Sequence, residues 1–228
     1  MNLTIKKNQS IALVGSSGSG KSTLIDILLG LIDSQFGQIE VDGKAINTTN
    51  KNAWQKKIGY VPQQIFLSDQ TIAENIAFGV DLENISQEKL SKAIKLAKLS
   101  ELVNSLDQGV NTPVGEKGVQ MSGGQRQRIG IARALYNNPE IIVFDEATSA
   151  LDGITEASIM DAINELSTEK TIIMIAHRLS TVEQCDVIYM LDKGKIVDQG
   201  TFHELMKTNT QFKGMASNNQ KQSLSLEA

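Results

Sequence analysis

A glycine-rich segment near the start of the chain constrains the fold more than any other feature of the sequence. A short apolar run precedes it at residues 11–14, and a helix-like run with Leu24, Ile25, Ile27 and Leu28 follows it. Glycines allow backbone N–H groups to converge on phosphate oxygens, and a following helix N-terminus adds about half a positive charge. The sequence therefore predicts a phosphate-binding loop between a strand and a helix, formed by Gly15, Ser16, Ser17, Gly18, Ser19, Gly20, Lys21 and Ser22.

The chemistry of this loop depends on its last two residues. Lys21 would reach the β- and γ-phosphates of a nucleotide, and the Ser22 hydroxyl would bind Mg²⁺, which prefers oxygen ligands. The glycines and serines alone would also suit a flexible linker. The strand, the lysine and the apolar helix argue against a linker, and a dinucleotide-binding fingerprint would need a glycine where Thr23 stands.

Short apolar runs alternate with helix-like segments, which favours a mostly parallel sheet covered by helices on both faces. Because ligands in open α/β sheets bind beyond the carboxyl ends of the strands, residues that follow the strands could share one site. Polar or glycine residues that could take part in chemistry follow four of the predicted strands, namely Gly15, Gln63, Asp145 and His177. The five predicted core strands lie at residues 11–14, 58–61, 141–144, 171–176 and 187–190.

Two adjacent carboxylates, Asp145 and Glu146, follow the third of these strands. Asp145 could hold Mg²⁺ through a bound water molecule, and Glu146 could then polarise a second water that attacks the phosphate. Alternatively, the two carboxylates could simply begin a loop. His177 could hydrogen-bond the γ-phosphate, although an isolated histidine is more often structural. Gln63 could contribute an amide oxygen to Mg²⁺ or be an ordinary surface residue.

The remaining pattern predicts additions to the sheet. Two hairpin signals, Asp42-Gly43 and Lys193-Gly194, indicate some antiparallel structure. Residues 71–136 are predicted to form an inserted helical lobe, with Ser86 as a helix N-cap. We expect one domain over residues 1–215, with a core lobe at about 1–70 and 137–215, and a polar disordered tail at 216–228.

Charge and hydropathy argue against several other classes of protein. The net charge is −4 and no basic stripe is interleaved with aromatic residues, so we expect no nucleic-acid partner. The apolar runs are far shorter than the roughly 20 residues that span a bilayer. The first residues lack the features of a signal peptide and Cys185 is the single cysteine, so we expect a cytoplasmic location.

A second motif allows the chain to be compared with a known family. Residues 121–135, with Ser122, Gly123, Gly124 and Gln125 near their start, closely resemble the signature sequence of ATP-binding-cassette (ABC) ATPases. Ser122 and Gln125 also predict a helix capping box, and both interpretations can hold together. The resemblance covers essentially the whole chain, because the phosphate loop, Gln63, the signature, the two carboxylates, residues 149–152 and His177 occur in the family's order.

The resemblance implies a P-loop NTPase (RecA-like) fold, ATP and Mg²⁺ as cofactors, and hydrolysis of ATP to ADP and phosphate. In that family two cassettes pack head to tail, and Ser122 and Gly124 would contact the γ-phosphate of the ATP held by the other cassette. Asp152 would help communication across the interface, and Gln63 would sense a transmembrane domain. By resemblance, the catalytic residues are Glu146, His177, Gln63 and Lys21. The nucleotide would be bound by residues 15–23, which include Thr23, and by residues 122–125. Mg²⁺ would be bound by Ser22, Gln63 and Asp145.

Two further segments, residues 71–76 and 112–118, resemble the exporter branch of the family. This likeness implies a paired cassette, as a homodimer or a heterodimer, and a transmembrane domain at the cytoplasmic face of the cell membrane, usually in the same polypeptide. Met121 departs from the usual leucine with little change in volume. Members of the exporter branch normally carry an upstream aromatic residue that stacks on adenine, and residues 1–14 contain no Phe, Tyr or Trp. Either the chain begins inside the first β-subdomain of a longer cassette, which we favour, or adenine is held in a different way.

Two alternative functions share parts of this pattern. A catalytically silent nucleotide switch would retain the phosphate loop, but the presence of both Glu146 and His177 argues against it. DNA-repair and chromosome-organising ATPases share the signature, but long coiled coils normally interrupt their cassettes. Residues 21–121 show no sustained heptads, so the exporter interpretation is favoured.

Overall fold

The computed structural model describes residues 1–147, 153–176 and 179–216. His177 and residues 149–152, which carry sequence predictions, therefore lie outside the described residues, as do residues 217–228 of the predicted tail. The described strands are β1 (Ser10–Val14), β2 (Glu40–Val41), β3 (Lys44–Ala45), β4 (Ile58–Val61), β5 (Ile141–Asp145), β6 (Thr171–Ile175), β7 (Val187–Asp192) and β8 (Lys195–Gly200). The described helices are α1 (Lys21–Leu28), α2 (Lys51–Gln55), α3 (Ile72–Ile76), α4 (Gln87–Leu96), α5 (Ser100–Ser105), α6 (Gly123–Leu135), α7 (Gly153–Ser167) and α8 (Phe202–Thr208).

A six-stranded sheet in the order β4-β5-β6-β1-β7-β8 forms the centre of the molecule. Strands β4 to β7 of this order pair in parallel, and β8 pairs with β7 in the antiparallel sense. Every residue of β1 and β6 is buried, as expected for parallel strands that helices cover on both faces. The predicted mixed α/β fold and its five parallel strands are confirmed.

Both predicted hairpins are present, because β2 pairs with β3 and β7 pairs with β8. Asp42 and Gly43 have φ of 50° and 73°, and Lys193 and Gly194 have φ of 46° and 74°. Two consecutive positive φ angles are the requirement of a two-residue type I′ turn, which asparagine, aspartate and glycine favour.

Two apolar clusters fill the two faces of the sheet. On one face, Leu13 and Val143 pack with Ile25 of α1 and with Leu29 directly after this helix. On the other face, Val14 and Phe144 pack with the helices that lie between β4 and β5 in sequence and with α7. Each strand therefore buries alternate side chains on opposite faces, which fixes the direction in which each strand end projects.

Residues between β4 and β5 are mainly helical, as the sequence predicts. Ser86 is the N-cap of α4, where its hydroxyl accepts a hydrogen bond from Lys89 N at 3.4 Å. The predicted apolar face of this helix is buried, at Leu90, Ala93, Ile94 and Ala97.

Across the described residues, no helix is long and apolar enough to cross a bilayer. Ala216, the first residue of the predicted tail, is helical and packs against the core.

Candidate functional site

The phosphate loop connects β1 to α1 and passes close to the backbone of β7. Gly15 has a φ of +152°, and a Cβ at this position would lie 2.3 Å from Leu191 O and 2.8 Å from Ser19 Oγ. Only glycine fits this position without moving the neighbouring strand. The close approach arises because β1 pairs with β7, with Val14 opposite Met190.

Lys21 places its ammonium group at the centre of the loop. Its Nζ donates hydrogen bonds to Gly15 O at 2.7 Å and Ser16 O at 3.1 Å, and the residue is 6% exposed. Burial lowers the pKa of Lys21, and the negative charges of Glu146 and Asp145 oppose that shift. The lysine thus lies between backbone carbonyl groups and two carboxylates.

The loop and the start of α1 line a cavity of about 200 Å³, together with Glu146. Helix α1 begins at Lys21, so its first backbone N–H groups lack partners within the helix and are available to an anion. The lining residues are Ser17, Gly18, Ser19, Gly20, Lys21, Ser22, Thr23 and Glu146. The structure therefore brings most of the predicted phosphate loop and one predicted catalytic carboxylate to a single cavity.

The two carboxylates at the end of β5 are each held by a side chain from β4 or the loop after it. The Tyr60 hydroxyl donates to Asp145 Oδ2 at 3.0 Å, and Gln63 Nε2 donates to Glu146 Oε2 at 2.6 Å. Glu146 has a φ of 50°, and its N–H donates to Ile175 O at 3.1 Å. This left-handed backbone turns the chain away from β5 directly after Asp145.

The oxygen groups near this cavity fit Mg²⁺ in chemical type. Ser22 offers a hydroxyl, Asp145 a carboxylate and Gln63 an amide oxygen, and hard oxygen donors of this kind are what Mg²⁺ prefers. The amide nitrogen of Gln63 is the atom that contacts Glu146, so its oxygen is the atom suited to a cation.

The signature residues form the predicted capping box at the start of α6. Gln125 N donates to Ser122 Oγ at 3.2 Å, and Ser122 N donates to Gln125 Oε1 at 2.8 Å. Ser122 and Gly123 are exposed. Neither they nor Gly124 and Gln125 are among the residues that line the phosphate-loop cavity. Within one chain, the structure therefore does not bring the signature to the phosphate loop.

Tyr60 is a site residue that the sequence analysis missed. It is 37% exposed, and burial together with the negative charges of Asp145 and Asp26 raises the pKa of its phenol. The sequence signal was the polar end of an aromatic side chain in a predicted strand. Its contact with Asp145 requires β4 and β5 to be neighbours, which the sequence does not reveal.

Comparison with known proteins gives consistent matches. The family model for ABC transporters matches residues 1–149. The ABC multidrug transporter mdr1 of Aspergillus fumigatus is 45% identical over 212 residues, which are 93% of this chain and 16% of that protein. The ATP-dependent lipid A-core flippase of Saccharophagus degradans is 45% identical over 206 residues, which are 90% of this chain and 35% of that protein.

One solved structure is similar to this chain in both fold and sequence. It is a bacterial Atm1-family ABC exporter with ATP bound, with a TM-score of 0.85 and 37% identity. The match covers 94% of this chain and 37% of that chain. The present chain thus spans between about a sixth and about a third of the length of these relatives.

Proposed function

The chain belongs to the ABC transporter family, and from that premise we propose that it is the ATP-binding and ATP-hydrolysing domain of an exporter. Residues 1–215 would form this single domain. The observation that carries the proposal is the cavity in which the phosphate loop, the start of α1 and Glu146 meet. ATP-driven pairing of two such domains would power substrate movement by a transmembrane partner.

Binding of ATP follows from the groups around that cavity. Residues 15–23 would surround the phosphates with backbone N–H groups, and the N-terminal end of α1 adds its positive partial charge. Lys21 would exchange its bonds to Gly15 O and Ser16 O for bonds to phosphate oxygens, which are stronger because both partners are charged. Ser22, Asp145 and Gln63 would hold Mg²⁺, which neutralises charge on the β- and γ-phosphates when bound.

Hydrolysis would depend on Glu146, which borders the same cavity. Its carboxylate would accept a proton from the attacking water, and the hydrogen bond from Gln63 Nε2 would hold it in place. His177 would assist by orienting the water or the γ-phosphate. Because Glu146 lines the same cavity as the phosphate loop, we favour hydrolysis over a silent nucleotide switch.

A second copy, or a related cassette, would complete the site. Ser122 and Gly123 are exposed at the N-terminal end of α6, where backbone N–H groups would be available to an anion. Since residues 122–125 do not line the cavity of the chain's own phosphate loop, we propose that they contact the γ-phosphate of ATP held by a partner cassette. Asp152 would take part in communication across that interface.

The helical segment offers a surface for a transmembrane partner. Phe66 and Phe78 are 61% and 58% exposed, and the guanidinium Cζ of Arg133 lies 4.9 Å from the centre of the Phe78 ring. Arg133 Nη1 also donates to Phe66 O at 2.9 Å. Exposed aromatic side chains grouped in this way are typical of interaction sites. Docking here would place the chain at the cytoplasmic face of a membrane.

A buried hydrogen-bond network would carry movement from this surface to Gln63. Asn75 is 0% exposed, and its Oδ1 accepts from Ser68 N at 2.9 Å and from Arg133 Nη2 at 3.1 Å. Its Nδ2 donates to Ser68 O and Thr71 O, each at 3.0 Å. The loop that follows Gln63 is therefore fixed to α3 and α6. Displacement of these helices would move Gln63 and, through it, Glu146.

The proposal is tested by the substitution Glu146→Gln, which removes the base and keeps the shape of the side chain. We expect ATP binding to remain, and phosphate release to fall about 100-fold or more, because a positioned base contributes at least that factor. The exposed residue Glu101 on α5 provides a matched control, since Glu101→Gln changes the same charge away from the cavity. Normal turnover by the Glu146→Gln protein would refute the assignment.

A further inference from the structure

Tyr60 contacts one of the two carboxylates without lining the phosphate-loop cavity. It lies on the edge strand β4 and pairs with Val143 of β5. Side chains two residues apart on a strand share a face, so Tyr60, Val143 and Asp145 lie on the same face of the sheet. This is the face covered by α1, and it allows the Tyr60 hydroxyl to reach Asp145 Oδ2 at 3.0 Å.

We propose that Tyr60 is a positioning residue, which holds the Asp145 carboxylate in the orientation that binds the Mg²⁺ of Mg·ATP. The inference rests on the proposed function, because it assumes that Asp145 takes part in nucleotide-dependent cation binding. Nothing in the family resemblance assigns a role to this tyrosine. Its hydroxyl acts through Asp145 and is not itself assigned to the cation or the nucleotide.

The geometry explains why a donor is useful at this position. An ionised carboxylate accepts hydrogen bonds only, and its two oxygens together offer about four acceptor positions. The bond from Tyr60 uses one acceptor position on Oδ2, and a carboxylate can bind a cation or its water while it accepts such a bond. The bond restricts rotation of the Asp side chain, so less conformational entropy is lost when the cation binds.

A parallel contact strengthens the argument. Gln63 Nε2 holds Glu146 Oε2 at 2.6 Å, and Tyr60 holds the adjacent carboxylate. Both donors belong to one short stretch of chain, β4 and the residues that follow it. The two neighbouring negative charges are thus each stabilised by a neutral donor from the same side of β5. Outer hydrogen-bond partners of this kind typically change metal affinity about 10- to 100-fold when they are removed.

The test is Tyr60→Phe, which removes one hydroxyl and keeps the ring on the edge strand. Tyr189→Phe is the matched control, because the Tyr189 hydroxyl donates to Thr4 O at 2.9 Å, away from the carboxylates. The affinity for a fluorescent ATP analogue is measured for each protein in excess Mg²⁺ and again in EDTA. The Mg²⁺ concentration that gives half-maximal phosphate release is a second measurement.

We expect Tyr60→Phe to leave affinity in EDTA unchanged, to reduce the gain in affinity from Mg²⁺ about tenfold, and to raise the half-maximal Mg²⁺ concentration by a similar factor. Tyr189→Phe should match the unsubstituted protein in all three. A general loss of folding would also lower the affinity for the ATP analogue in EDTA. The inference is overturned if Tyr60→Phe loses affinity equally in Mg²⁺ and in EDTA, or if it loses none. If the unsubstituted protein gains no affinity from Mg²⁺, the proposed function itself fails, and the inference fails with it.

Discussion

Gly15 and Gly18 serve the phosphate loop in physically different ways. Both have positive φ angles, but a Cβ on Gly15 would collide with Leu191 O and Ser19 Oγ, whereas a Cβ on Gly18 would meet nothing within 4 Å. At Gly15 the backbone of β7 leaves no room, and at Gly18 only the backbone conformation disfavours a side chain. The two positions therefore separate a steric requirement from a conformational one.

We predict that Gly15→Ala lowers the free energy of unfolding by about 2–4 kcal/mol, because overpacking and backbone strain add. Gly18→Ala should cost about 1 kcal/mol, the penalty of the left-handed conformation alone. ATP affinity should fall sharply for Gly15→Ala, since the loop must move away from Leu191. Urea unfolding and ATP titration measure both effects. Equal losses for the two variants would contradict the steric argument.

The sequence predicts those individual site residues whose chemistry follows a local pattern. The glycines, Lys21 and Ser22 are adjacent in sequence, so strand, loop and helix could be inferred together. Tyr60 was missed because its contact with Asp145 spans 85 positions and depends on which strands are neighbours. The bond between Gln63 and Glu146 spans 83 positions, and only their common location at strand ends could be anticipated.

Among the secondary-structure elements, three described helices begin with the same capping box. These are α3 with Thr71 and Glu74, α6 with Ser122 and Gln125, and α8 with Thr201 and Glu204. The hydroxyl at each N-cap accepts a hydrogen bond from the third residue of its helix, which satisfies a backbone N–H that would otherwise lack a partner. Only the box of α6 coincides with the proposed contact to a partner's nucleotide.

Comparison of Ser122→Ala with Thr201→Ala therefore separates the cap from the proposed function. Each substitution should lower the free energy of unfolding by about 1 kcal/mol, the usual value of an N-cap hydroxyl. Ser122→Ala should also reduce ATP hydrolysis about tenfold or more, because a hydrogen bond to a charged group is worth about 1.5–3 kcal/mol. Thermal unfolding and phosphate release give the two values. Equal hydrolysis by the two variants would leave Ser122 with a capping role alone.

Strands and helices differed in how well the sequence predicted them. The core strands were found because buried parallel strands are continuous apolar runs. β8 alternates between exposed and half-buried residues at the edge of the sheet. The sequence predicted the hairpin that leads to β8, but it did not predict β8 as a strand of the central sheet. Short helices such as α2 and α5 have too few turns to show a helical period.

For the whole molecule, the order of strands decides which loops meet, and sequence patterns do not reveal that order. β1 lies between β6 and β7, so the phosphate loop emerges beside the ends of strands that are far from it in sequence. This arrangement gathers Lys21 and Glu146 at one cavity, while α6 presents Ser122 elsewhere on the surface. We propose that one hydrolytic site takes Lys21 and Glu146 from one copy and Ser122 from another.

Mixtures of two inactive variants test whether the site is shared between copies. Lys21→Ala and Ser122→Ala should each hydrolyse ATP poorly, but a pair formed from one copy of each retains one complete site. If pairing is random and symmetric, an equal mixture should therefore recover up to about a quarter of normal phosphate release. A mixture of Lys21→Ala with Glu146→Gln should recover nothing, because both changes fall in the same half of the site. Recovery in the first mixture alone is the predicted result, and its absence, or equal recovery in both, would contradict the shared site.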